Sequence, residues 1–119
     1  MIVKGVENVP VGVYDGFTTW LLIGEKNARA KEVSIQLTHV DPGGAQFIHS
    51  HPQEQCYYII SGCGLMTVGD EEEEAAAGRA VLIPGGAPHG IRNNGTETLV
   101  YLTANMIFGV EKESMIWPK

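Results

Sequence analysis

The sequence has 119 residues, a length that suits one domain with a core large enough to stand without disulfides. Its formal net charge of −6 argues against nucleic acid, because phosphate binding needs a basic surface, and leaves small molecules, metals or other proteins as partners. The two cysteines, Cys56 and Cys63, are too few for a disulfide scaffold and read as reduced thiols.

The stretch before Lys31 is less regular than the middle of the chain. It lacks the long apolar run of a signal peptide, and no run in the chain approaches membrane-spanning length. A cytoplasmic protein with no membrane partner is therefore expected. From Val33 the pattern is strand-like: Val33, Ile35 and Leu37 alternate with Ser34, Gln36 and Thr38, and the same parity puts His39 with the apolar set. Asp41-Pro42-Gly43-Gly44 breaks this strand. Short extended segments come next over Phe47 to His51, Gln55 to Ile60, Leu65 to Val68, Ala80 to Ile83, His89 to Arg92 and Leu99 to Ala104, with glycine- or proline-bearing turns between most of them. The acidic stretch Asp70 to Ala77 has helical propensity but is short and stops at Gly78, so it is read as a hairpin tip leading into an acidic strand. Many short strands with turns between them predict an all-β antiparallel sandwich or barrel. A single domain over residues 1–119 is expected, with its barrel core over about 31–105. The apolar Met115-Ile116-Trp117-Pro118 near the C-terminus needs cover, either from its own barrel or from a second subunit.

The chemistry gathers in the seven residues HSHPQEQ, His49 to Gln55. Residues two apart on a strand share a face, so His49 and His51 project together and can share one ion. Imidazole suits Zn, Cu, Fe, Ni and, less well, Mn. His89 heads a strand after a Pro-Gly-Gly-Ala-Pro turn and is the natural third ligand. His39 is read as an ordinary packed or surface histidine. On the strand after Pro52, Gln55, Tyr57 and Ile59 share one face, while Cys56, Tyr58 and Ile60 share the other.

These residues resemble the two motifs of the cupin superfamily. The first is met by Gly43, His49, His51, position 55 and Gly62; the second by Gly78, Pro84, Gly86, His89 and Asn93. Two departures stand out: Gln55 occupies the place of the usual glutamate, and Arg79 that of a common aspartate. The resemblance implies a double-sheet jelly-roll barrel, a homodimer, and one divalent metal (Zn, Ni, Mn, Fe or Cu) held by His49, His51, Gln55 and His89. Glu54 is the alternative fourth ligand should Pro52 shift the register. The wording of HSHPQEQ is similar to cupins of the pectin-degradation type, which linearise unsaturated uronates.

A glutamine ligand gives a neutral oxygen where glutamate would give a charge, so the site stays more cationic and favours an anionic ligand. The inward faces are expected to add Phe47, Tyr57, Ile59 and Ile91 as a pocket, with Tyr57 a candidate acid or hydrogen-bond donor. Asn93 and Thr67, beside backbone carbonyls, are candidate partners for the outer ring nitrogens of the histidines. The expected function is a metal-dependent enzyme acting on a small anionic or sugar-derived substrate by isomerisation, decarboxylation or dioxygenation. The alternative is a non-catalytic module that binds a small ligand or senses it.

Overall fold

The computed structural model describes residues 1–107. The apolar stretch Met115 to Pro118 lies outside the described residues. Ten strands run in chain order: β1 (Val11–Tyr14), β2 (Phe17–Ile23), β3 (Val33–Val40), β4 (Ala45–His49), β5 (Gln55–Ser61), β6 (Cys63–Val68), β7 (Glu71–Ala76), β8 (Ala80–Ile83), β9 (His89–Arg92) and β10 (Leu99–Met106). A single helical turn, α1 (Glu25–Ala28), links β2 to β3. Six strands form one sheet in the order β1-β2-β3-β10-β5-β8, and four form the other in the order β4-β9-β6-β7. Every pairing is antiparallel. This is the all-β double-sheet barrel that the turn spacing predicts.

The region before Lys31 is more regular than the sequence reading allows. Tyr14 pairs with Phe17 across the two-residue turn Asp15-Gly16, with Gly16 at φ 88°, so β1 and β2 form a tight hairpin. The Asp-Gly pair between two β-branched and aromatic runs is the local signal for it. The acidic stretch is a strand, as expected: Glu71 to Glu74 are exposed on β7 and Ala75 is buried. β7 is an edge of its sheet, where charged side chains discourage pairing with another chain.

The barrel interior is apolar at one end. Phe17, Val40, Ile59, Met66, Ile91 and Leu99 are buried in a shared cluster. The polar face of β3 also points inward: Ser34 and Thr38 are buried, whereas Val33 and Ile35 are exposed. Thr38 shares a hydrogen bond with Thr19 (2.9 Å) between neighbouring strands. His39, on the outer face, stands edge-on to Trp20 at 4.8 Å and takes no part in the histidine group. Asn93 is fully buried. Its amide donates to the carbonyls of Val40 (2.9 Å) and Glu97 (2.7 Å), and its oxygen accepts from the Gly95 N–H (3.0 Å). It therefore fastens the β9–β10 loop to the end of β3.

Candidate metal centre

His49, His51 and His89 come together from β4, the loop after it and β9. Their ring nitrogens can be chosen so that all lie within 4.8 Å of one another. Ring centroids are 4.3 Å apart for His49 and His89, 4.8 Å for His51 and His89, and 5.7 Å for His49 and His51. His51 lies beyond β4, which ends at His49. Its place is held by the turn at Pro84–Gly86. The Gly86 N–H donates to the His51 carbonyl (2.8 Å), and a side chain at Gly85 would collide with the carbonyl oxygen of Pro52. The same turn supplies the Ala87 carbonyl that holds His89, so one loop orients two of the three rings.

Each imidazole is fixed through its Nδ1 to a backbone carbonyl: His49 to Phe47 (2.8 Å), His51 to Gln53 (2.9 Å) and His89 to Ala87 (2.9 Å). A carbonyl only accepts, so Nδ1 carries the proton and, in the neutral ring, Nε2 offers a lone pair. Of the three kinds of candidate partner, backbone carbonyls take the role and Asn93 and Thr67 do not. Asn93 is engaged with its own loop, and Thr67 sits on β6 opposite Gly90, away from these three contacts.

His89 is fully buried, and its Nε2 has no hydrogen-bond partner among the described residues. Burial lowers its pKa to about 4, only partly offset by the Ala87 carbonyl and reinforced by His49 and His51 nearby. The ring is therefore neutral near pH 7, the form a metal binds. Gln55 is buried at the start of β5, with Oε1 3.2 Å from His51 Nε2. With Nδ1 carrying the proton of the neutral ring, His51 Nε2 and Gln55 Oε1 both offer lone pairs that one cation could share. Glu54 is exposed, on the opposite side of the chain from Gln55.

Tyr57, Ile59 and Ile91 are buried on the inward faces. Phe47 is not part of the lining: it is 73% exposed. The reason is a β-bulge. Gln46 pairs with Ile91 and His49 with His89, so Phe47 and Ile48 both face the single residue Gly90. The extra residue breaks the parity that would carry Phe47 inward with His49, and Gln46 takes the inward place. A Cβ at Gly90 would lie 2.8 Å from the Gln46 carbonyl oxygen, so glycine makes room for the bulge. Gln46 Oε1 accepts hydrogen bonds from Tyr101 and, at 3.5 Å, from Tyr57, whose rings stack at 4.7 Å. Burial raises the pKa of both phenols, so they remain protonated donors. Tyr57 stands perpendicular to His89 at a ring distance of 6.3 Å.

The family model described as cupin domain matches residues 36–105. The chain belongs to the cupin family. Among relatives of this cupin is an uncharacterised protein of Methanocaldococcus jannaschii, 39% identical over 64 residues, covering 53% of this chain and 51% of that protein. Another is the dimethylsulfoniopropionate lyase DddW of Ruegeria pomeroyi, 33% identical over 89 residues, covering 71% of this chain and 59% of the lyase. The chain spans 51% to 59% of the length of the curated relatives it matches. Among solved structures, an oxalate decarboxylase of Bacillus subtilis superposes with a TM-score of 0.74 at 28% identity, covering 82% of this chain and 27% of that one. In the described part of this cupin, no helix is long and apolar enough to cross a membrane.

Proposed function

We propose that this cupin is an enzyme that holds one divalent transition metal on His49, His51, His89 and Gln55 and acts on a small carboxylate. The observation that carries this reading is the histidine trio itself. Three rings are locked through Nδ1 so that their Nε2 atoms converge, and one of these is buried without a partner. When bound, the metal would supply Lewis-acid chemistry at a site whose four protein donors are all neutral. A carboxylate is favoured because nothing in the donor set cancels the metal's charge. No Asp or Glu is buried among the described residues, so none of these places a buried carboxylate base beside the histidines.

What the chain does contribute is placement: Tyr57 keeps its proton beside His89, and the apolar end of the barrel closes the site from behind. The names of two similar proteins fit this reading, since one is a lyase of a propionate and the other an oxalate decarboxylase studied for its Mn(II) centres. Decarboxylation, elimination and isomerisation are thus the reaction types to test first.

The test begins with metal content. Purified wild-type protein is expected to carry about one metal per chain, and His49→Ala and His89→Ala to lose most of it. Unchanged metal in both variants would sink the ligand assignment. Turnover by the metal-loaded protein is then measured on a panel of oxalate, short hydroxy- and oxo-acids, unsaturated uronates and β-diketones. Ligand-induced stabilisation with no turnover across the panel would favour the binding-module alternative.

We propose in addition that a second copy covers the outer face of the six-stranded sheet. Trp20, Leu37, Leu102 and Tyr58 align across four strands, with Ile35, Ala104 and Leu82 in the adjoining row. Tyr58 and Leu82 are 49% and 58% exposed, and none of these residues is charged. An uncharged apolar face meets its own copy without desolvating ions. Light scattering is expected to give a dimer at micromolar concentration, and a monomer there would contradict it.

A further inference from the structure

The inner face of the six-stranded sheet carries a polar wall beside the histidines that metal binding does not use. Register places it plainly. Gln55 on β5 lies opposite Asn105 on β10, and Asn105 opposite Ser34 on β3; one step along, Tyr57, Thr103 and Gln36 align in the same way. Thr103 Oγ1 donates to Gln36 Oε1 (3.2 Å), and Asn105 Nδ2 donates to Ser34 Oγ (3.2 Å) and, more weakly, to Thr103 Oγ1 (3.5 Å). Ser34 and Thr103 are buried, while Gln36 and Asn105 are half-buried, so each row of the wall pairs a buried side chain with a partly accessible one. Among the described residues, Gln36 Nε2 and Asn105 Oδ1 have no hydrogen-bond partner. The wall spans two strand spacings, about 10 Å, starting from the metal-ligand candidate Gln55.

A barrel does not need this wall in order to fold, since apolar residues fill the same sheet at its other end. The wall offers hydroxyl and amide groups and no charge, so oxygen atoms along a ligand's body would be met there. A second carboxylate would not, because a buried anion without a cation is costly.

We infer that the Ser34–Gln36–Thr103–Asn105 wall is the specificity surface of the site and selects a hydroxylated monocarboxylate, with the carboxylate toward the histidines and its further hydroxyls along the wall. This rests on the metal-enzyme reading of the histidine site. Asn105 and Gln36 bind the ligand body through their unpaired amide groups, and Thr103 holds Gln36 in place.

The experiment titrates metal-loaded protein by calorimetry with two acids that share the same chelating end. These are gluconate and 2-hydroxyhexanoate, which differ only in the hydroxyls that would reach the wall. Wild type is expected to bind gluconate about tenfold or more the tighter, the worth of one or two neutral hydrogen bonds. The variants Thr103→Val and Asn105→Leu are expected to abolish that preference while metal content stays unchanged, and Thr103→Ser is expected to keep it. 2-Hydroxyhexanedioate, which keeps the chelating end and adds a carboxylate at the far end, is expected to bind no better than 2-hydroxyhexanoate. Equal affinity for the two hydroxy acids in wild type, no binding of either, or a preference that survives both variants overturns the inference. Failure of the metal reading is separate and shows as wild-type protein that takes up no metal.

Discussion

Along β3 the inward residues run Ser34, Gln36, Thr38, Val40; along β10, in the opposite direction, they run Asn105, Thr103, Tyr101, Leu99. The same pair of strands is therefore polar at one end and apolar at the other. The apolar end is closed by Phe17, Ile59, Met66 and Ile91, all buried. The polar end lies beside Gln55, which in turn reaches His51 of the histidine group. Stability and the proposed function thus occupy opposite ends of one barrel. Burial of the first group, roughly 1.5–3 kcal/mol for each large side chain, offsets the cost of keeping hydroxyls, amides and an unpartnered imidazole inside the second.

The largest effect that can break this division is a truncation at the dry end. Leu99 is fully buried and touches the backbone of Gly64, where even a Cβ would lie 2.8 Å from its methyl group. Leu99→Ala is expected to destabilise by about 2–5 kcal/mol and to lower the melting temperature by about 10 °C or more. At 25 °C, where the protein is still folded, it should take up metal as fully as wild type. Thermal melts and metal analysis on one sample check this. Loss of metal from the folded variant would show that the two ends are coupled rather than separate.

How much of each end was legible depends on what fixes it. The ligand candidates His49, His51 and His89 depend on local spacing and turn chemistry, both of which can be read along the chain. So can the alternation on β5 that puts Gln55, Tyr57 and Ile59 inside. Gln46 and Phe47 exchange places because of a bulge opposite Gly90, a two-strand event that parity along one strand cannot reveal. The alternation of Ser34, Gln36 and Thr38 with Val33, Ile35 and Leu37 was visible, but not that the polar set faces inward. That choice depends on Asn105, Thr103 and Gln55 on two distant strands meeting it, and on the apolar set having a face of its own to cover. The β1–β2 hairpin is a different case, since its Asp-Gly turn was there to be read.

A smaller effect sharpens the comparison from the polar end. In the metal-stripped protein His89 titrates at about 4, against about 6.5 when unfolded, because burial disfavours its charged form. Below about pH 6.5 the unfolded chain binds a proton that the folded chain refuses, so stability rises with pH across this window. The contribution is fully present above 6.5 and is lost as the pH falls through about 4. Other acidic groups also titrate there, so the measurement is a difference: thermal melts of metal-free wild type and His89→Gln from pH 7.5 to 4. Wild type is expected to lose about 10 °C more than the variant between 6.5 and 4, and the two curves should run parallel above 6.5. Parallel curves throughout would mean that His89 charges freely in the folded protein, so that the polar end is wet enough to hydrate an imidazolium and the contrast with the Leu99 end is shallower than the burial implies.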